Sequence, residues 1–117
     1  MSMAYVPEAG DIVWLDFAPQ TGHEQAGRRP AVVLSPQAYN SKTGLLVCVP
    51  VTNQIKGYPF EVLLSGPEIS GAALADQVKS LDWRSRQAQF KCKISTVEMH
   101  CIKAKIAALL SLELTSA

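Results

Sequence analysis

The fold is decided by the heptapeptide DIVWLDF, residues Asp11–Phe17 of the 117-residue chain, in which successive side chains alternate between two faces. The alternation predicts a β-strand with an apolar face formed by Val13, Leu15 and Phe17. Because a strand of a sheet with one solvated side seldom buries both faces, we expect Trp14, on the other face, to be exposed or to lie at an interface.

Further short apolar runs after this strand predict more strands and few helices. They span residues 31–34, 45–51, 60–64 and 74–83. Pro50 lies inside the second run and cannot donate a ladder hydrogen bond, so we expect that strand to lie at an edge or to bulge there. Residues 35–40 can form a short helical turn, with Pro36 near its first position.

The last third of the chain predicts an amphipathic helix. Ser95 and Glu98 have the spacing of a capping box, and Met99, Ile102 and Ile106 follow with the helical period. This apolar stripe packs against the sheet in the first interpretation and partly serves a dimer partner in the second. We therefore predict a mainly β fold with α, a small and strongly bent antiparallel sheet or partly open barrel closed by a C-terminal helix, in a single domain over residues 1–117.

Composition excludes several classes of protein. Apolar residues make up 48% of the chain, which suffices for a core, and no apolar run approaches the roughly 20 residues of a membrane helix. The N-terminus has neither the basic start nor the apolar centre of a signal peptide, so we expect a soluble, cytoplasmic protein. Three cysteines at spacings typical of no metal site are expected to be free thiols. The net charge is only +1, but residues 84–105 are rich in cations and predict a local basic surface.

The loop after the first strand, residues 18–28, carries the strongest chemical signal. Glu24 and Arg29 lie five residues apart, so the carboxylate can take a proton from a hydroxyl nucleophile while the guanidinium holds phosphate oxygens. Arg28 adds positive charge, and His23 is a further acid-base candidate. The alternative is a solvated loop with an ion pair. A guanidinium stays protonated at neutral pH, so Arg29 is better suited to stabilise charge than to donate a proton.

Polar residues at two other places suit contact with RNA. Thr52 and Asn53 follow an apolar run, where a hydroxyl can bind a phosphate oxygen and an amide can bind a base edge or sugar. Asp76 and Gln77 interrupt a strand-like segment and match the hydrogen-bonding edges of unpaired bases. Ordinary turn polarity and a solvated strand face are the alternatives.

Basic residues also alternate with aromatic ones, as in proteins that bind single-stranded nucleic acid. Lys56 precedes two aromatic residues, and Arg84 and Arg86 follow Trp83. The alternative is that the aromatic rings are core and the cations solvated. The cations near Trp83 and Phe90 are Arg84, Arg86, Lys91 and Lys93.

No cluster of metal ligands or glycine-rich nucleotide loop is apparent in the sequence, and no cofactor is expected. Acid-base chemistry on phosphate, or plain binding, remains. Many short runs of the chain resemble the MazF (PemK/Kid) family of bacterial toxin-antitoxin ribonucleases, from Tyr5 to about residue 110. The matching runs are residues 5–7, 10–14, 16–17, 24–27, 29–36, 39–40, 42–44, 48–50, 56–62, 73–80 and 102–106.

The resemblance implies an SH3-like barrel of the PemK/CcdB toxin type that forms a homodimer. It implies metal-independent, sequence-specific cleavage of single-stranded RNA, including mRNA, by the adjacent 2′-hydroxyl, which leaves a 2′,3′-cyclic phosphate and a 5′-hydroxyl and stops translation and growth. By the matching motifs, Glu24 is the general base, Arg29 the acid or charge stabiliser, and Thr52 a phosphate contact. Gln77, Lys79 and Arg86 match positions of the RNA-binding groove.

The chain departs from the family pattern at two positions, and both bear on RNA recognition. Arg28 replaces a frequent histidine and Asn53 replaces a hydroxyl residue. Antitoxins of the MazE type are expected to place an acidic, extended tail in the groove that binds RNA. Two other functions stay open: a toxin of the related gyrase-poisoning type, and an RNA-binding module without catalysis.

Overall fold

The computed structural model describes residues 4–17 and 27–112, which form one antiparallel sheet with a helix against it. The strands are β1 (Asp11–Phe17), β2 (Gly27–Val33), β3 (Leu45–Thr52), β4 (Glu61–Ser65), β5 (Ser70–Leu74), β6 (Lys79–Asp82) and β7 (Gln89–Lys93), and the helices are α1 (Gln37–Thr43) and α2 (Thr96–Leu109). The strand order is β4-β5-β3-β2-β1-β7, and β6 pairs with β3 beside this path. The predicted fold class, a bent antiparallel sheet with a C-terminal helix, is confirmed.

The strand β1 is buried on both faces over its first half, which alternation alone does not predict. Val13 and Leu15 belong to one core, together with Trp83. Ile12, one residue away, is also fully buried, in a second core that includes Ile102 of α2. The sheet bends enough for each face to cover its own core. The expectation of a solvated second face is therefore wrong at Ile12, although the next residue on that face, Trp14, is only half-buried.

Pro50 lies in a central strand, so the prediction of an edge strand is wrong. On one side β3 pairs with β2 at residues 48–50; on the other it pairs with β6 over residues 45–48 and then with β5 at residues 51–52. The Leu34 N–H donates to the Val47 carbonyl, so Leu34 and Val47 form a hydrogen-bonded pair of the β2–β3 ladder. Hydrogen-bonded and non-hydrogen-bonded pairs alternate along antiparallel strands, so the Ala31–Pro50 pair, three positions away, is not hydrogen-bonded. The proline nitrogen thus points away from β2, into the gap where β3 changes partners.

The strand predicted over residues 74–83 contains β6 and only the last residue of β5. β5 ends at Leu74, a turn follows in which the Gln77 N–H donates to the Leu74 carbonyl, and β6 begins at Lys79. β5 pairs with β3 at residues 51–52 and β6 pairs with β3 at residues 45–48, so the turn separates two different pairings with β3. Asp76 lies in that turn. β7 was missed by the sequence analysis, because its alternating lysines resemble a solvated segment.

The helices begin where the sequence indicates. Pro36 is the N-cap of α1, and Ser95 and Glu98 form both halves of the capping box of α2. The helix α2 spans 14 residues, and no helix of the described chain is long and apolar enough to cross a membrane. The three cysteines are free thiols, as predicted: Cys48 and Cys92 are buried and Cys101 is exposed.

Candidate active site and flanking groove

Arg29 and Thr52 meet on neighbouring strands at one end of the sheet. β1 and β2 pair Leu15 with Arg29, and β2 and β3 pair Ala31 with Pro50. Continued two residues beyond the last pair of this ladder, the register would bring Arg29 opposite Thr52, and both residues line one groove. Since residues two apart share a strand face, alternation places both side chains on the face of Leu15, which we call the Arg29 face.

The Thr52 hydroxyl is oriented by its own loop. Thr52 is buried, and its Oγ1 accepts the Gln54 N–H at 3.1 Å. The hydroxyl proton is therefore directed away from that nitrogen and can be donated to a ligand oxygen. Gly71 makes this arrangement possible, because any Cβ at Gly71 would collide with the Thr52 carbonyl.

Two further predicted cations lie on the Arg29 face. Lys79 pairs with Cys48, and its Nζ is 5.6 Å from the centre of the Phe17 ring. Arg86 donates from Nη1 to the Asp16 carbonyl at 2.9 Å. Burial raises the pKa of the Cys48 thiol to about 12, although Lys79 and Arg86 act in the opposite direction. Both positive charges therefore lie within electrostatic reach of the same thiol.

Glu24 and His23 lie outside the described residues, so their predicted roles stay predictions. The described ends that flank them, Phe17 and Gly27, are paired across β1 and β2, two residues beyond Leu15 and Arg29. The segment that carries Glu24 is thus attached to the sheet at the same end as Arg29.

A groove of about 360 Å³ lies beside this site. Trp14 and Asn53 belong to the other face of the sheet, since they alternate with Leu15 and Thr52. Arg29 and Thr52 border the groove from the strands between. We call it the Trp14 groove. Its lining consists of Trp14, Arg28, Arg29, Pro30, Val51, Thr52, Asn53, Glu68, Ile69, Ser70 and Lys91.

Arg28 lines the groove with a guanidinium that already has protein partners. It pairs with the Asp16 carboxylate at 2.8 Å and donates to the Gln87 carbonyl at 2.9 Å and to Gln89 Oε1 at 3.3 Å. These bonds tie the start of β2 to the start of β7. The sequence analysis assigned Arg28 to RNA contact, and the structure adds a bracing role.

The remaining predicted RNA contacts are spread around the site. Lys56 is exposed, and its backbone N–H donates to the buried Glu61 carboxylate at 3.0 Å. Asp76 accepts the Tyr58 hydroxyl at 2.8 Å, and burial followed by this bond raises the pKa of Tyr58 to about 12.

Gln77 and Arg84 complete the predicted set. Within the part of the chain that the structure describes, the Gln77 Oε1 atom is buried and accepts no hydrogen bond. Arg84 lies 4.7 Å above the Trp83 ring, on the far side of that core residue. Arg84 is thus placed to pack on Trp83, whose ring is too buried to stack with a base.

Two groove residues, Trp14 and Glu68, and Gly71 next to Thr52 were not identified as functional from the sequence. Trp14 was expected to be exposed or at an interface, and that half-exposed position on a strand was the available signal. Glu68 lies just before β5, and Gly71 is the second residue of that strand. Because the sequence analysis did not predict β5, nothing indicated that these residues lie near Thr52. No group of three or more His, Cys, Asp or Glu side chains within residues 4–17 and 27–112 is arranged to hold a metal ion.

The sheet, its terminal helix and the cationic site at one end are those of a known class of bacterial proteins. The chain belongs to the family of PemK-like, MazF-like toxins of type II toxin-antitoxin systems, whose model matches residues 8–110. It is 59% identical over 110 residues to the endoribonuclease toxin MazF of Escherichia coli strain K12, covering 94% of this chain and 99% of that protein.

Solved structures agree with the family assignment. The crystal structure of MazF from Deinococcus radiodurans has a TM-score of 0.89 and 52% identity, covering 93% of this chain and 100% of that one. A MazE–MazF crystal structure from the same organism has a TM-score of 0.84 and 46% identity, covering 94% and 100%. The predicted family resemblance is confirmed.

Proposed function

We propose that the chain is an endoribonuclease toxin that cleaves single-stranded RNA at short sequence motifs without a metal ion. The observation that carries the proposal is that Arg29 and Thr52 line one groove, while Lys79 and Arg86 both act electrostatically on Cys48, which pairs with Lys79 across neighbouring strands. Four donors on one face, three of them cationic, suit a phosphodiester that gains negative charge as it reacts.

The proposed reaction is attack by the 2′-hydroxyl on the adjacent phosphorus. Glu24 takes the hydroxyl proton, the O2′–P bond forms and the P–O5′ bond breaks, which leaves a 2′,3′-cyclic phosphate and a 5′-hydroxyl. Arg29 holds two phosphate oxygens through its planar fork, and the Thr52 hydroxyl donates to the phosphate. Because the guanidinium stays charged at neutral pH, the departing O5′ takes its proton from solvent.

Residues around this centre supply RNA binding. Lys79 and Arg86 attract the phosphate backbone, and the exposed Lys56 extends this surface. The carboxylate of the exposed Asp76 can accept a base N–H, and Gln77, whose Oε1 is buried and unpaired, follows it in the same turn. Arg84 contributes charge from its position on Trp83, and Arg28 and Asn53 act from the Trp14 groove.

The partners follow from the family. We infer a homodimer, supported by the exposed apolar side chains of Leu109, Leu110 and Leu112 at the end of α2. We also infer neutralisation by an antitoxin of the MazE type, whose acidic tail would compete with RNA for Lys79 and Arg86. Cytoplasmic location and a single toxin domain over residues 1–117 belong to the same proposal.

The experiment is incubation of the purified protein with a long, unstructured RNA of mixed sequence in excess chelator, followed by mapping of the cut ends. We expect cuts at one short motif, and loss of cutting in Glu24→Ala and in Arg29→Ala. A variant at the exposed Lys103 of α2, Lys103→Gln, is the control for charge, and it should cut normally.

Three outcomes would contradict the proposal. Intact RNA that is nonetheless bound would indicate an RNA-binding module. Intact RNA together with poisoning of gyrase would indicate the other toxin type. Undiminished cutting by both variants would remove Glu24 and Arg29 from the chemistry.

A further inference from the structure

The edge strand β7 contains a bulge at Lys91. The β1–β7 ladder pairs Ile12 with Cys92, and the next pair is Val13 with Phe90. Lys91 is therefore the extra residue of the bulge. In a regular ladder, neighbouring residues alternate between faces, so Lys91 would point to the face opposite that of Cys92. A bulge interrupts this alternation and redirects a side chain, and bulges are common beside functional sites.

The redirected lysine lies against a tryptophan. Trp14 is on the face of Ile12, and the Lys91 Nζ is 5.2 Å from the centre of the Trp14 ring. Both residues are half-buried and both line the Trp14 groove. An aromatic face and an ammonium group are thus presented together to one cavity.

Two other cations of this region are held by carboxylates, whereas Lys91 contacts a ring. Arg28 is paired with Asp16. Lys93, two residues after Lys91, is paired with the buried Asp11 carboxylate. A lysine that lies over an aromatic ring has more of its three N–H donors available for a ligand than a lysine that is bound to a carboxylate.

The groove is ordered by charge along its length. It crosses the sheet from β5 through β3, β2 and β1 to β7, so Glu68, just before β5, and Lys91 lie at opposite ends. Strands are spaced by about 4.8 Å, which separates these ends by roughly 19 Å. A phosphate is repelled at the Glu68 end and attracted at the Lys91 end, which also holds the aromatic ring.

We propose that Trp14 and Lys91 form a subsite for one unpaired nucleotide, whose base stacks on the Trp14 ring and whose phosphate binds the Lys91 ammonium. The nucleotide belongs to the RNA strand, at a position flanking the cut. Arg29 and Thr52 border this groove as well as the proposed active site, so one strand can contact both. The inference rests on the proposed ribonuclease function and adds a second binding zone to it.

The test uses a short RNA that contains the mapped cleavage motif with a single 2′-deoxy nucleotide at the cut position, which 2′-hydroxyl attack cannot cleave. Its dissociation constant is measured over a series of salt concentrations. The variants are Trp14→Leu, Trp14→Phe, Lys91→Gln and Lys91→Arg, with Lys103→Gln on α2 as the control for charge. The turnover of the all-ribose RNA is measured in parallel.

We expect Trp14→Leu to weaken binding roughly 5- to 150-fold and Trp14→Phe to retain most of the affinity, because stacking needs a ring. Lys91→Gln should reduce the slope of log K against log salt by about 0.7, one phosphate contact, whereas Lys91→Arg and Lys103→Gln should keep it. A merely structural role for Lys91 would leave that slope unchanged. The kcat should stay that of the wild type, with the loss in KM.

The outcomes separate this inference from the proposed function. If the wild type cuts RNA but Trp14→Leu and Lys91→Gln bind it normally, the subsite is wrong and the function stands. If the wild type leaves RNA intact, the function fails, and titration of the same variants with an unmodified single-stranded RNA of mixed sequence still decides whether Trp14 and Lys91 bind a nucleotide.

Two further ligands complete the test. Quenching of Trp14 fluorescence by a free nucleoside monophosphate, with no effect of the variants on RNA binding, would assign the subsite to free nucleotides and overturn the proposal. If the Trp14 and Lys91 variants weaken the binding of an acidic peptide but not that of RNA, the subsite belongs to a protein partner, and the proposal is likewise overturned. The Trp14 signal is the difference between the wild type and Trp14→Phe, which removes the contribution of Trp83.

Discussion

Arg29 and Thr52 are the residues on which the proposed chemistry depends, and the sequence indicated both. It did so from residue types that suit phosphate and from the family resemblance, not from geometry. Their proximity depends on the register of β2 and β3, which no local pattern reveals. Trp14 and Lys91 were not predicted as a pair because a bulge in β7 changes which face Lys91 occupies.

At Arg29 we expect Arg29→Lys to lower kcat strongly while RNA affinity changes little. A lysine keeps the charge but lacks the planar fork that matches two phosphate oxygens in the transition state. Single-turnover cleavage and binding of the deoxy RNA measure the two quantities separately. A loss of affinity with kcat unchanged would show that Arg29 acts in binding alone, and equal losses in both would count against the assigned role.

At Gly71 we expect Gly71→Ala to reduce both stability and turnover. The glycine has φ +121°, in the region that favours glycine, and an added Cβ would meet the Thr52 carbonyl. The strain should cost about 1–3 kcal/mol and displace the Thr52 hydroxyl. Urea unfolding and kcat are the measurements, with Gly66→Ala, which meets only ordinary contacts, as the control. A fully active Gly71→Ala would refute the role given to this close approach.

Among the elements, α2 was the best predicted, because its capping box is a local signal. The structure adds that Glu98 Oε2 accepts the Ser65 N–H at 2.9 Å, so the same carboxylate fixes the helix to the end of β4. The 74–83 segment was predicted as one strand because it begins and ends in apolar residues, although Asp76 and Gln77 interrupt it. Only the need to pair with two parts of β3 divides it, and that is a tertiary constraint.

We expect Glu98→Ala to destabilise the protein by about 1 kcal/mol at neutral pH and by less in acid. Partial burial raises the pKa of the Glu98 carboxyl, but hydrogen bonds from the Ser65 and Ser95 N–H groups and the Ser95 hydroxyl outweigh this and lower it. A lowered folded pKa stabilises above the ordinary Glu pKa of about 4.3, and the effect is lost as pH falls through the folded pKa.

Urea unfolding of both proteins at neutral pH and below pH 4 measures this difference. Thr43→Ala is the control, because the Thr43 hydroxyl bonds the Tyr39 carbonyl and the Leu45 N–H, which do not titrate, so its loss should cost a similar amount at both pH values. A penalty for Glu98→Ala that is the same at both pH values would show that the carboxylate charge does not contribute.

For the whole molecule, the predicted basic surface is only partly available to RNA. The net charge is +1, and several cations of residues 84–105 are bound by the protein itself: Lys93 by Asp11, and Lys105 by the Pro59 carbonyl. Lys79 and Arg86 remain on the Arg29 face. Charge counting predicted a basic region, but which cations face the ligand is decided by tertiary structure.

We therefore expect RNA association to weaken with salt, with a slope that reflects a few phosphate contacts. Lys79→Gln should reduce the slope of log K against log salt by about 0.7, whereas Lys103→Gln on α2 should leave it unchanged. Equilibrium titration of the deoxy RNA at several salt concentrations is the measurement. A slope near zero for the wild type would mean that base contacts alone hold the strand.

The central claim, cleavage by the 2′-hydroxyl without a metal ion, is tested most directly by comparing two RNAs in excess chelator. One is all ribose and the other differs by a single 2′-deoxy nucleotide at the mapped cut, and the product ends are identified by mass. The account predicts that the first is cut to a 2′,3′-cyclic phosphate and a 5′-hydroxyl while the second stays intact. Cleavage of the deoxy RNA at the same bond, or products with a 5′-phosphate, would contradict it.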